Sequence, residues 1–247
     1  MFRQLSTILL TLAFAAPAAA ATLHVAAAAS DQAPLDLLVQ RYEAKTHDSV
    51  LVSYGASGHF FGQLLAGAPY DVFFSADKRY PAKLQERGLV RAARQYAAGQ
   101  LVLWTPADST LDLGRGLAVL TDPQVRHVAI ANPALAPYGE AAMEALRASG
   151  LEHTVKSKLV YGEDIAQAAQ FVQTGNAEVG LLALAVAKAP KFAAGKTALI
   201  PNVLHRPITA DVVVLESTTL PVEAWRFVAY CTGPDAQPVW RRFGLSE

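Results

Sequence analysis

Short apolar segments alternate along the chain with longer segments in which apolar residues recur every three or four positions. The first pair is typical: residues 23–27 predict a strand, and Leu35, Leu38 and Tyr42 then fall on one face of a helix. The same pattern predicts further strands at residues 50–53, 71–75, 101–104, 127–130, 158–161, 178–182 and 209–215. It predicts further helices at residues 60–65, 81–87, 140–148, 165–172 and 222–230. Strands that alternate with amphipathic helices indicate an α/β fold.

The starts of two predicted helices carry capping signals. Ser30 or Asp31 is placed to cap the first helix. Asp164 and Gln167 stand three residues apart at the start of a later helix, in the manner of a capping box. No fixed-period repeat and no low-complexity linker interrupts the alternation, so we expect two tightly coupled lobes.

The N-terminus has the pattern of a secretory signal peptide. Arg3 gives a short positive region, residues 5–15 are largely apolar, and small residues follow. We expect residues 1–21 to be a signal peptide that is cleaved near Ala20 or Ala21, which makes the mature protein an exported one. The alternative interpretation is an N-terminal anchor or a buried helix.

Composition excludes several classes of protein. Hydrophobic residues make up 52% of the 247 residues and charged residues 17%, which excludes intrinsic disorder. Basic and acidic residues number 21 each, and no basic cluster marks a nucleic-acid-binding face. The single cysteine, Cys231, lies on an apolar helix face, where a buried inert thiol is expected and no intrachain disulfide can form.

Four strand-to-helix turns share one chemical character, because they consist mostly of small and hydroxyl-bearing residues and contain neither lysine nor arginine. They are residues 28–30, 55–58, 136–139 and 162–165. Helix N-termini present unpaired N–H groups, and several that point to one place form an anion site without a cationic side chain. In open α/β sheets, ligands bind at the carboxyl ends of the strands, where these turns would lie. The alternative is that each turn only caps a helix.

Catalytic and metal sites have less support. Ser57 and His59 would form the nucleophile and base of a serine hydrolase, but the motif around them lacks the last glycine of G-x-S-x-G. Tyr54, Tyr138 and Tyr161 lie near turns and would suit a ferric ion, although tyrosines there more often pack at the edge of a core. The six histidines show no zinc-binding spacing.

Five segments, in order along the chain, resemble segments of the periplasmic molybdate-binding proteins, which are the solute-binding components of molybdate ABC importers. They are residues 26–30, 54–58, 67–77, 132–139 and 175–180. The most specific are 67–77, which reads GAPYDVFFSAD, and 132–139, which reads NPALAPYG. The resemblance runs from about Thr22 to the C-terminus.

This resemblance implies a two-lobed periplasmic-binding-protein fold of type II, in which each lobe is a sheet flanked by helices and crossover strands join the lobes. Lobe one would comprise residues 22–100 and 209–247, and lobe two residues 101–208. It also implies a periplasmic monomer that captures molybdate, and tungstate with it, and delivers the anion to the permease and ATPase of an ABC transporter. No catalysis, no cofactor and no nucleic-acid partner is implied.

The family's ligand contacts, carried over by position, fall on four residues, and two neighbours could add backbone donors. The hydroxyl groups and backbone N–H groups that would bind the anion belong to Ser30, Ser57, Tyr138 and Ile165, with Ala29 and Gly58 as secondary donors. Ile165 would act through its backbone N–H. All of these groups would bond to oxygens of the anion, so molybdenum itself would have no protein ligand.

The sequence departs from the family in one donor. Many members have a tyrosine after the strand at residues 178–182, whereas Ala183 and its neighbours carry no hydroxyl. Tyr138 is the expected replacement.

Three acidic residues near the turns bear on the ligand. Asp31, Glu163 and Asp164 would repel an oxyanion unless they turn toward backbone N–H groups as caps. Two alternative functions stay open: a protein that binds another tetrahedral oxyanion such as sulfate, and a ferric-ion-binding protein.

Overall fold

The computed structural model describes residues 21–246, so the predicted signal peptide lies, except for Ala21, outside the described residues. Within that range the strands are β1 Thr22–Ala28, β2 Ser49–Gly55, β3 Val72–Ser75, β4 Val90–Gly99, β5 Leu101–Thr105, β6 Val128–Ala131, β7 Leu159–Gly162, β8 Val179–Ala183, β9 Lys196–Leu199 and β10 Ile208–Leu215. The α-helices are α1 Gln32–Thr46, α2 Ser57–Leu65, α3 Arg79–Glu86, α4 Pro137–Ala148, α5 Glu152–Val155, α6 Ile165–Gln173, α7 Leu184–Ala187, α8 Pro221–Thr232 and α9 Gln237–Arg242. Short 3₁₀ segments cover Ala29–Asp31, Leu113–Thr121, Lys156–Lys158 and Asn202–Leu204.

The strands form two five-stranded sheets of the same design, which confirms the predicted α/β class. The first sheet has the order β2-β1-β3-β10-β4, and the second has the order β7-β6-β8-β5-β9. In each sheet three parallel strands lie side by side. The fourth strand in the order runs antiparallel to them, and the fifth pairs antiparallel with the fourth. We call the first sheet and the helices that pack on it the first lobe, and the second sheet with its helices the second lobe.

Two short connections cross between the sheets. Strand β4 ends at Gly99 and β5 begins at Leu101, so a single residue separates a strand of the first lobe from one of the second. The chain returns from β9 to β10 through residues 200–207. Because β4 and β10 are neighbours in the first sheet, both crossings leave from the same side of that sheet.

The first sheet is covered on both faces, since successive side chains of a strand point to opposite sides. In β3, Phe73 packs near Phe60 of α2 with ring centroids 6.3 Å apart, and Phe74 packs near Phe227 of α8 at 6.1 Å. Cys231 of α8 is fully buried, as predicted, and burial raises the pKa of its thiol.

Helix α4 packs so closely on the second sheet that position 139 has no room for a side chain. Gly139 lies in the first turn of α4, and a Cβ at this position would overlap the carbonyl of Ala131 at the end of β6. Overlap with backbone atoms is relieved only if the whole helix moves. Gly139 therefore allows α4 to begin at the carboxyl edge of the second sheet, which places the neighbouring Tyr138 at the centre of the molecule.

Candidate functional site

The four turns singled out by their composition meet between the two lobes. They enclose a narrow cavity of about 10 Å³ that is lined by residues 28–30, 55–57 and 76 from the first lobe and by 136–138, 164 and 165 from the second. These residues follow the carboxyl ends of parallel strands in both sheets, as ligand sites of α/β sheets do. Of the predicted contacts, those that border the cavity are Ala29, Ser30, Ser57, Tyr138 and Ile165.

Three helices direct backbone N–H groups that lack a partner toward this cavity. In α2, α4 and α6, the N–H groups of Ser57, Tyr138 and Ile165 make no hydrogen bond within residues 21–246. Each is among the first N–H groups of its helix, which have no partner inside the helix. A helix N-terminus carries a partial positive charge, so these groups favour an anion in the cavity.

The hydroxyl of Ser57 is oriented by the strand behind it. The N–H of Ala76, directly after β3, donates to Ser57 Oγ at 3.0 Å, and Ser57 is 1% exposed. Because the oxygen already accepts one hydrogen bond from the backbone, its own proton stays available to the cavity. Ser57 is thereby a donor of fixed position.

Asp164 borders the cavity, and its carboxylate caps α6. Its Oδ1 accepts from the N–H groups of Ala166 at 2.8 Å and Gln167 at 2.9 Å, which confirms the predicted cap. Gln167 Oε1 in turn accepts from the N–H of Glu163 at 2.6 Å, one residue before the position a capping box predicts. The cap takes up the second and third N–H groups and leaves that of Ile165 unpaired.

The predicted cap of α1 is wrong, because neither Ser30 nor Asp31 bonds the start of that helix. Asp31 is instead 1% exposed and accepts from two hydroxyls: Ser30 Oγ lies 3.2 Å from Oδ1, and Tyr96 of β4 donates to Oδ2. Burial is the largest influence on this carboxyl and raises its pKa to about 7, against the lowering effect of the Tyr96 and Ser30 hydrogen bonds. Sequence alone gave no sign of this pairing, since Tyr96 is 65 residues away.

Tyr138 is a buried donor without a partner. Its side chain is 2% exposed, and its hydroxyl lies against Gly99, where any Cβ would collide with it. No residue in the described range forms a hydrogen bond to that hydroxyl. Burial, followed by the charge of Asp31, raises the pKa of Tyr138 far above its ordinary value, so the phenol keeps its proton.

Gly58 joins the lobes and does not border the cavity. Its N–H donates to the carbonyl of Leu135 in the second lobe at 2.8 Å. Two further contacts cross between the lobes: the Arg79–Glu140 ion pair, with Nη1 3.0 Å from Oε1, and a contact of His59 Nδ1 with Glu163 Oε1 at 3.4 Å. Sequence reasoning missed Arg79 and Glu140, because 61 residues separate them and no motif links them.

The structure does not assemble the other sites considered from sequence. Tyr54 donates to Asp36 at 2.5 Å in a different cleft, and Tyr161 is 49% exposed, so the three tyrosines do not converge as iron ligands would. His59 pairs with Glu163 and not with Ser57. Among residues 21–246, no group of three histidine, cysteine or acidic side chains is placed to hold a metal ion.

Two larger clefts also lie between the lobes. One of about 350 Å³ is lined by charged residues that include Arg79, Glu140 and Arg206. The other, of about 540 Å³, is mostly apolar and borders Ser30 on its outer side. Neither is lined by the starts of α2, α4 and α6 together, so the narrow cavity is the candidate ligand site.

Two α/β lobes joined by two crossings, with donors from both lobes around one buried cavity, define a solute-binding protein. The family model for bacterial extracellular solute-binding proteins matches residues 23–246, and the chain belongs to this family. None of the helices described in residues 21–246 is long and apolar enough to span a membrane.

Several proteins that are similar to this chain are named as molybdate-binding proteins. The molybdate-binding protein ModA of Azotobacter vinelandii is 42% identical over 233 residues, which cover 93% of this chain and 92% of that protein. ModA of Rhodobacter capsulatus is 35% identical, with 95% and 92% covered. The solved structure of the Azotobacter vinelandii periplasmic molybdate-binding protein superposes with a TM-score of 0.85 at 33% identity, covering 91% of this chain and 99% of that one. These relatives are named as molybdate-binding proteins, and this chain belongs to the same broad family of solute-binding proteins.

We predict that Gly58→Ala separates the lobes. A Cβ at Gly58 would lie 2.5 Å from the Tyr80 hydroxyl and 2.8 Å from the Leu135 carbonyl, which is backbone of the opposite lobe. Spin labels on cysteines at the exposed positions Lys83 and Lys156 should therefore report a longer mean distance in the variant.

The matched control is Gly62→Ala on the same helix, where an added Cβ meets nothing within 4 Å. It should leave the label distance unchanged and raise the free energy of unfolding by about 0.5–1 kcal/mol, because alanine is the better helix former. A Gly58→Ala distance equal to that of the parent protein would contradict the role assigned to this glycine.

Proposed function

We propose that this protein binds molybdate, and tungstate with it, in the cavity between its lobes and delivers the anion to an ABC importer. The observation that carries the proposal is the convergence of unpaired backbone N–H groups and hydroxyls from both lobes on a cavity with no lysine or arginine in its lining. Relatives that are named molybdate-binding proteins support the identity of the anion.

The proposed contacts are the hydroxyls of Ser30, Ser57 and Tyr138 and the N–H of Ile165, with Ala29 and Gly58 as secondary donors. Gly58 would serve only in an arrangement that frees its N–H from Leu135. Hydrogen bonds to a charged group are worth about 1.5–3 kcal/mol each, so a set of them holds a dianion without a counter-ion. Tungstate has nearly the same size and charge as molybdate, so the same donors would hold either anion.

Binding works through closure of the lobes. Each lobe supplies only part of the donor set, so the anion gains its full set of hydrogen bonds only where the lobes meet. Lobe one would comprise residues 22–100 with 209–247, and lobe two residues 101–208, with the crossings after Gly99 and before β10 as the hinge. Opening at the transporter would divide the donors and release the anion.

The cellular setting is part of the proposal. Residues 1–21 would direct export and be removed, and the mature chain would work as a monomer in the periplasm. There it would meet the permease of an ABC transporter, whose ATPase drives uptake. Molybdate would be carried as cargo, and the protein would need no cofactor.

A panel of anions tests the ligand. A ligand that binds only the folded state stabilises it by about 4 kcal/mol at a thousandfold excess over Kd. For a chain of this length that raises Tm on the order of 10 °C. Molybdate and tungstate should both give such a shift in thermal denaturation. An equal or larger shift with sulfate, phosphate or ferric citrate would contradict the assignment.

Two hydroxyl variants test the donors. Ser57→Ala and Tyr138→Phe should each weaken molybdate binding by roughly ten- to a hundredfold, since each removes one hydrogen bond to a charged ligand. They should differ in stability. Ser57→Ala leaves the buried N–H of Ala76 without its acceptor and should cost about 1–3 kcal/mol, whereas the Tyr138 hydroxyl has no partner to lose.

Isothermal titration calorimetry and urea unfolding measure the two effects separately. Tyr161→Phe is the control, because that tyrosine is exposed on β7 and should change neither quantity. If Tyr138→Phe binds molybdate as tightly as the parent protein, the phenol is not a donor and only the backbone of its turn contributes.

A further inference from the structure

A carboxyl group stands directly behind one of the proposed donors. Asp31 follows Ser30 in the 3₁₀ segment before α1, and Ser30 Oγ lies 3.2 Å from Asp31 Oδ1. The other oxygen of the carboxyl accepts from Tyr96. Asp31 is 1% exposed and has no bond to a helix N-terminus, so it is not a cap.

The direction of the Ser30–Asp31 hydrogen bond depends on the charge of the carboxyl. An ionised carboxylate only accepts, so the single hydroxyl proton of Ser30 is then directed to Asp31 and away from an anion. A neutral carboxyl donates its own proton to Ser30 Oγ, and the Ser30 proton becomes free for the ligand. The two states thus differ in whether Ser30 is a donor to the cavity.

The surroundings of Asp31 favour its neutral state. Besides burial, the groups that act on it are the hydroxyls of Tyr96 and Ser30, and no cation is among them. The helices α6 and α7, which pack against this segment, contain no titratable residue. The cleft that borders Ser30 on its outer side also has three charged residues: Asp36, Lys191 and Arg242.

Three tyrosines and two carboxyl groups, Asp211 and the α6 cap Asp164, also lie around this segment. Tyr54 on β2, Tyr96 on β4 and Tyr138 on α4 all have their pKa values raised, in part by the charge of Asp31, so they remain neutral. Asp211 on β10 acts on Tyr96 in the same direction. An ionised Asp31 would therefore face a dianion in the cavity with no cation between them.

We propose that Asp31 is a positioning residue for the anion, and that binding of the dianion is coupled to protonation of the Asp31 carboxyl. This rests on the proposed function. One proton enters from solvent and bonds to the carboxylate. The carboxyl then donates to Ser30 Oγ, and the Ser30 hydroxyl donates to an oxygen of the anion. No covalent bond to the ligand forms or breaks.

The pH dependence follows from the folded-state pKa of Asp31, which burial raises to about 7. Below that pH the carboxyl is already neutral, so the Kd for molybdate should be constant. Above it each anion must bring a proton, so Kd should rise toward tenfold per pH unit. Lowering the pH restores binding, and raising it favours release.

Calorimetric titration of the parent protein with molybdate, from about pH 6.5 to about pH 9, tests this directly. Titrations at one pH in buffers of different ionisation enthalpy give the number of protons taken up. We expect tight binding with a flat Kd at the acid end, a rising Kd at the basic end, and uptake approaching one proton per anion there. Tight binding with a flat profile and no proton uptake would overturn the inference and leave the proposed function intact. Absence of molybdate binding at every pH would overturn both.

Two variants test whether the pH dependence comes from the hydrogen bond between Asp31 and Ser30 or only from a nearby negative charge. In Asp31→Asn the amide still accepts from Tyr96 and donates permanently to Ser30 Oγ, so binding should stay tight and lose its pH dependence. Asp36→Asn is the control. It removes another negatively charged carboxylate that accepts a hydrogen bond from a tyrosine, and the pH dependence of its Kd should match that of the parent protein. An Asp31→Asn profile with the parent slope would overturn the inference.

Tyr96→Phe provides a test that does not depend on the Asn variant. The Tyr96 hydrogen bond lowers the pKa of Asp31, so its loss should raise that pKa and move the rise in Kd to higher pH. A shift to lower pH, or no shift, would contradict the proposed coupling.

Discussion

The proposed site depends on one constraint: a dianion removed from water would need its charge balanced by hydrogen bonds from neutral donors alone. The lining of the narrow cavity contains no lysine or arginine. Unpaired backbone N–H groups of Ser57, Tyr138 and Ile165 and the hydroxyl of Ser57 supply donors instead. Donors of this kind are effective only when they are held in place before the ligand arrives, because neutral dipoles that must reorient lose much of their advantage.

Much of the fold serves to hold these donors. Both sheets place the carboxyl ends of three parallel strands toward the same point, and Gly139 allows α4 to begin in contact with β6. Gly58 then lets the two lobes approach until its N–H reaches the Leu135 carbonyl. The ion pair between Arg79 and Glu140 also joins the lobes, but exposed pairs are worth only about 0–1 kcal/mol. In the proposed mechanism, hydrogen bonds to the anion, and not surface charges, would therefore favour the closed state.

Local signals in the sequence predicted most of the longer helices and strands, and they predicted that the four turns would lie at the carboxyl ends of the strands. The spacing of Asp164 and Gln167 predicted a cap that leaves Ile165 free, and the small residues at 55–58 predicted a turn that a ligand can approach. The same reasoning was wrong for Asp31. A buried carboxyl chooses its partner by tertiary packing, and Tyr96 reaches it from β4, a strand whose mixed polar pattern no periodicity predicted. Contacts between lobes, such as that of Arg79 with Glu140, have no local signature at all.

The most direct test of the account is a crystal structure of the molybdate complex with the metal located by anomalous scattering. A single molybdenum peak should lie between the starts of α2, α4 and α6. The anion's oxygens should lie within hydrogen-bond distance of Ser57, Tyr138 and the N–H of Ile165, with no lysine or arginine nitrogen in contact. A peak beside Arg79 and Arg206 in the charged cleft, or one contacted by Lys191, would contradict it.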